Sequence, residues 1–146
     1  MPIGEDAIAG YTFKIEIDGQ IIAQFKEVSG LSSEVQVIVH RENNLSGKAV
    51  EHKLPGPPKF GDIVLKRGKT DNKTIWEWHK LVTEGKIDEA RKNFSVVLYD
   101  YAGAEISRYN FVNGWPSKAS IGALQAGGSD VLMEEVTLVH EGVELA

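Results

Sequence analysis

The sequence predicts a mainly β fold, an antiparallel β-barrel or sandwich with one packed α-helix. Three observations carry this. Apolar and polar residues alternate along much of the chain, the signature of half-buried strands. Turn residues recur at short intervals, as in all-β domains. Only one stretch has helical period. The 146 residues suit a single domain, 1–146, with its own core.

The elements follow in order. Phe13, Ile15 and Ile17 alternate with Lys14 and Glu16, and Asp18-Gly19 is a hairpin turn signal. Ile21, Ala23 and Phe25 pattern the return strand, which ends before Ser29-Gly30. Val35, Val37 and Val39 alternate with Gln36, Ile38 and His40, predicting a third strand. Residues 41–53 lose the pattern and read as an extended loop or mobile hairpin. Loops of that length within a compact domain are uncommon and often functional. A Pro/Gly turn at 54–58 leads into a strand over 62–66.

Residues 74–83 read as the helix. Thr74 and Glu77 have capping-box spacing, Ile75, Trp78, His79 and Val82 form one stripe, and Gly85 is a stop. Residues 87–92 leave open a further helical turn. Phe94, Val96 and Leu98 resume strand alternation, 101–104 turn, and 106–112 return. Asn113-Gly114-Trp115-Pro116 marks a sharp bend, after which 117–121 can extend. Gly127-Gly128 breaks the chain, and Leu132, Val136 and Leu138 pattern the last strand. This amounts to about seven to nine strands, in the range of a sandwich or small barrel.

Composition narrows the function. A net charge of -5 argues against non-specific nucleic-acid binding, which needs a cationic surface. With no cysteine, disulfides, thiolate metal sites and a cysteine nucleophile are excluded. Residues 1–10 read as an N-terminal arm. They carry Glu5 and Asp6 and lack a basic end followed by an apolar core, so no secretory signal is expected. No run approaches the roughly 18 apolar residues of a membrane span. Synthesis in the cytoplasm without a signal peptide is expected.

No catalytic constellation emerges, and an enzyme is not expected. Arg67-Gly68-Lys69-Thr70 follows a strand, but a phosphate-binding loop needs glycine where Ile63 stands. His140-Glu141 opens like a zinc-protease motif, but Glu144 occupies the second histidine's place. His40, His52, His79 and His140 lack ligand spacing, so neither metal nor cofactor is expected; His79 reads as a core or interface residue. Glu134 and Glu135 face opposite ways on a strand and read as solvated. Trp76, Trp78 and Trp115 could stack on a sugar, which leaves a small carbohydrate- or ligand-binding β domain as an alternative.

Charge is uneven along the chain. Residues 41–69 hold seven bases against three acids, while 130–146 hold five acids and no Lys or Arg. Unlike poles suit head-to-tail association into rings or filaments. Arg41, Glu42, Asn43, Asn44, Lys48 and Lys53 in the extended loop, with Glu141 and Glu144 near the other end, are the candidate inter-subunit or inter-ring contacts.

Leu54-Pro55-Gly56, Lys59, Gly61 and Leu65-Lys66-Arg67-Gly68 resemble the tail-tube, or inner-tube, proteins of contractile phage tails and related contractile injection systems. Further matches fall in order: FKIEIDG at 13–19, FKEVSGLSSE at 25–34, Trp76 and Trp78 in the helix, LYDYAG at 98–103, NGWPSK at 113–118 with Trp115 and Pro116, and the closing 134–146. Gly114 replaces the family's usual alanine and Pro57 its usual leucine. The resemblance implies a tail-tube-like structural subunit. It would form hexameric rings, stacked into a tube around a lumen for cargo or DNA. Its implied partners are itself, a contractile sheath, the baseplate and spike, and tape-measure or cargo proteins, within a tail or extracellular injection particle. The ring-forming tube protein of a type VI secretion system shares this architecture and is the nearest alternative.

Overall fold

The computed structural model describes residues 12–68, 72–122 and 132–146. The expected arm at 1–10, Lys69-Thr70 and Gly127-Gly128 lie outside them. The described residues form β1 (Thr12–Ile17), β2 (Gln20–Phe25), β3 (Glu27–Ser29), β4 (Ser33–Asn43), β5 (Ala49–Phe60), β6 (Ile63–Gly68), α1 (Thr74–Thr83), α2 (Ile87–Ala90), β7 (Lys92–Tyr99), β8 (Glu105–Ile121), β9 (Met133–Val139) and β10 (Gly142–Leu145). The mainly β, antiparallel class read from the sequence is the class observed.

The main sheet runs β2-β1-β7-β8-β9-β6-β3, with β10 also on β8. Two bent segments hold its halves together. The first part of β8 pairs with β7 and β10, and the second part pairs with β9. At the other end of the path, only Lys26 separates β2 from β3, and its N–H donates to the Lys66 carbonyl at 3.0 Å. The sheet therefore curls back on itself around one core.

The bend expected at 113–116 is real but does not end the strand. Asn113 takes a left-handed φ of 50°, and β8 continues through it. Gly114 follows because a Cβ there would lie 2.0 Å from Cε1 of Phe94. Phe94 in turn stacks on Phe111, with centroids 4.8 Å apart, and meets Trp78 edge-on at 6.0 Å. These rings sit with Ile15, Phe25, Ile63, Leu65, Ile75, Val96, Val136 and Leu138 in the buried core. Burying each such side chain contributes about 1.5–3 kcal/mol.

Two local expectations are corrected. Ile21 was expected beside Ala23 and Phe25 on the inner face, yet it is 53% exposed. A register shift between Ile15 and Glu16 sets Glu16 opposite Ile21, which breaks the alternation there. The helix start also differs. Thr74 is the first helical residue rather than a cap, and its N–H is taken by the Asn72 side chain at 2.9 Å. Asn72 thus supplies the capping oxygen from just outside the helix.

Helix α1 is pinned from its buried stripe. The Trp78 indole N–H donates to the Ala90 carbonyl at 2.6 Å, which ties α1 to α2. The Nδ1 of His79 lies 2.9 Å from the Pro116 carbonyl on β8. The His79 ring is half-buried there, at the edge of the core.

Candidate functional site

The most unusual feature is the hairpin β4–β5, a separate two-stranded sheet. Its strands have 11 and 12 residues, so it extends about 35 Å at the usual strand rise. Neither strand packs extensively on any other described element. All of β4 is exposed. Residues 41–53 are thus the outer half of an ordered hairpin, with only 44–48 outside its strands. Asn44 builds that turn: its Oδ1 accepts from the N–H groups of Ser46 and Lys48 at 2.9 and 3.0 Å. Leu45 stands fully exposed at the tip.

The Leu54-Pro55-Gly56 run, read from sequence as a turn, lies inside β5. Val35 pairs with Pro58 and Val37 with Pro55, so β5 carries an extra residue and bulges opposite Gln36. Pro55, Pro57 and Pro58 are tolerated because each strand of a two-stranded ribbon has a free edge. Val35, Val37 and Val39 occupy one face of the ribbon, while Ile38 pairs with Leu54 on the other. All five are 46–58% exposed. A lone two-stranded hairpin is marginal in water, and an apolar ribbon of this size calls for a covering surface.

The root of the hairpin is rigid. Gly30, at φ 86°, passes so close to Asp62 that a Cβ would lie 1.9 Å from its carbonyl oxygen. The Gly61 N–H reaches the Ser32 carbonyl at 3.4 Å. The His140 Nε2 donates to the Gly61 carbonyl at 2.9 Å, and the ring lies edge-on to Phe111, centroids 4.7 Å apart. The hairpin therefore leaves the body at a direction set by β9, β10 and the core.

The motif residues Lys66, Arg67 and Gly68 lie on β6, directly opposite β9. Arg67 is 4% exposed and Glu134 is fully buried; they pair at 2.9 Å. The expectation that Glu134 is solvated is therefore wrong. It fails because the basic partner comes from another strand at matching register, which sequence separation hides. Trp76 donates its indole N–H to the second Glu134 oxygen. Arg67 also reaches the Asn72 carbonyl at 3.3 Å and stacks over Phe25. The Asn72 side chain donates to Ile22 at 3.0 Å. This buried polar brace joins β2, β6, β9 and the start of α1.

The tryptophans form no sugar platform. Trp78 is core, Trp76 is tied to Glu134, and Trp115 is half-buried at the β8 bend beside buried Pro116. Glu141 and Glu144 are exposed on the body, and Glu141 accepts from Asn113 at 2.6 Å. Within one subunit Arg67 and Glu134 pair across the two charged segments, whereas among the described residues the outer-hairpin bases Arg41, Lys48 and Lys53 make no ion pair with Glu141 or Glu144. On the outer face of the sheet, Arg108 binds both Glu16 oxygens at 3.1 and 3.2 Å and Glu105 at 2.7 Å. Glu16 first, then Glu105, holds the guanidinium above its already high ordinary pKa.

A model of the T4-like virus tail tube protein gp19 family matches residues 9–144. The chain belongs to that tail tube family. Solved structures share the tail tube fold. One, from the baseplate of the anti-feeding prophage, has a TM-score of 0.72 and 21% identity, covering 96% of this chain and 95% of that one. Another, from the sheath–tube complex of an extracellular contractile injection system, has a TM-score of 0.70 and 22% identity, covering 97% and 93%. Hcp1 from Flavobacterium johnsoniae gives 0.52 and 16%, covering 91% and 93%. No curated protein matches the chain. The tail tube family is structural, and the protein is a tail tube subunit.

Proposed function

We propose that this subunit builds the inner tube of a contractile injection particle, as hexameric rings stacked around a lumen through which cargo or DNA passes. The observation that carries this is the β4–β5 hairpin, a ribbon with exposed apolar residues that packs extensively on no other described element. A neighbouring subunit that covers it would offset its exposure and pair its free edges. Family membership and folds shared with chains of a baseplate and a sheath–tube complex support the setting. On this reading the sheath and baseplate are partners, with tape-measure or cargo proteins in the lumen, and the particle acts outside the cell that makes it.

The contacts between rings are Arg41, Glu42, Asn43, Asn44, Lys48 and Lys53 on the outer hairpin and Glu141 and Glu144 on the neighbour's body. Surface charges are screened over about 8 Å at physiological salt, so these pairs set register more than affinity. The tube stays passive during injection and survives axial force because large surfaces are shared. The native chain has no cysteine, which allows a clean test. A chain carrying Lys48→Cys and Glu144→Cys should form disulfide-linked ladders when assembled and oxidised. Assembly without any ladder would exclude this contact.

A further inference from the structure

The hairpin brings together two histidines that lie 12 residues apart in the chain. His40 on β4 and His52 on β5 are direct cross-strand partners. Directly opposed side chains on one face have Cβ atoms only about 5 Å apart. Glu42 shares that face, two residues along β4. The His52 Nε2 lies 3.2 Å from one Glu42 oxygen, and the His40 Nε2 lies 3.6 Å from the other. All three side chains are more than half exposed.

We infer that His40 and His52 form an open chelating clip for a borderline divalent metal ion, of which zinc is the probe. Imidazole nitrogens suit zinc, copper and nickel, and bind as neutral rings. Ligands at about 2.0–2.1 Å around a tetrahedral ion stand about 3.4 Å apart. Both Nε2 atoms converge on the one Glu42 carboxylate, which places the two rings on the same face of the ribbon and turned toward a shared point. Glu42 offsets part of the ion's charge, and its contacts with the two Nε2 atoms give way when the ion binds there. Among the described residues no three His, Asp or Glu side chains form a ready metal-binding group. The clip is therefore two-coordinate from the protein, with water, or a donor from a docked neighbour, in the remaining positions. Binding ties β4 to β5 near the middle of the hairpin.

The test is a zinc titration of the intact chain, followed by calorimetry and by the NMR signals of the histidine rings. The inference expects saturable uptake of one ion, with shifts at His40 and His52. The rings of His79 and His140, each held by a carbonyl, should stay unchanged. His40→Gln or His52→Gln should abolish the saturable phase, and Glu42→Gln should weaken it about tenfold. These exposed substitutions should leave the fold intact by circular dichroism. Absence of saturable uptake, or equal uptake by wild type and both histidine variants, overturns the clip. The measurement uses the unassembled subunit, so its outcome is independent of tube formation.

Discussion

Arg67 and Glu134 face each other across the β6–β9 ladder and pair at 2.9 Å with almost no access to solvent. Such a pair costs desolvation free energy, so its value lies in being complete. Removing one partner leaves a buried charge, which typically destabilises by about 3–5 kcal/mol. Glu134→Ala should therefore lower unfolding free energy by about 3 kcal/mol or more in urea denaturation. Replacing both residues with Arg67→Met and Glu134→Leu should cost much less than the single change. Equal losses in the two variants would contradict this account of the brace.

Gly114 sits against the Phe94 ring, with no room for a Cβ. Gly114→Ala should destabilise by about 1–3 kcal/mol through overpacking, although alanine is usual in the resemblance at this position. Adding Phe94→Leu should recover part of the loss. Thermal denaturation of the two variants measures both effects, and an unaltered Gly114→Ala protein would contradict the close fit.

Val37 is 58% exposed and stands outside the core cluster of the described residues. Val37→Asp should leave subunit stability within about 0.5 kcal/mol of wild type, as surface changes usually do. The same change should abolish or sharply reduce assembly, because a charge would enter a covered ribbon. Sedimentation and denaturation together separate the two. Normal assembly of Val37→Asp would place this face outside any interface.

A Lys48→Glu, Lys53→Glu double variant tests the charge poles. Stacking should weaken most in low salt, where surface charges act over longer distances. Adding Glu141→Lys and Glu144→Lys should restore it. Normal stacking of the first variant in low salt would remove electrostatic register from the account.

Much of the fold was legible because strands with one buried face must alternate. Ile15, Phe94, Val96, Leu138 and the Asp18-Gly19 turn show this directly. The outer hairpin was not legible as strand, since a ribbon with no core of its own has no inner face to mark. Its prolines read as a turn although they occupy a bulge on a free-edged strand. Glu134 read as solvent-facing because Arg67 becomes its neighbour only through strand register. His40 and His52 lacked ligand spacing in sequence for the same reason: the hairpin, not chain distance, sets them side by side. In the candidate site, the charged residues were visible as a pattern of composition. The apolar surface beside them was hidden in what looked like an ordinary strand.

In the proposed tube, another copy of the chain completes the uncovered hairpin. Electron microscopy of the purified protein at high concentration, with baseplate components added as nuclei, tests it most directly. Rings or stacked tubes with an open channel, each hairpin seated on a neighbouring subunit, are the expected result. A protein that stays monomeric under those conditions, its hairpin still exposed, would contradict it.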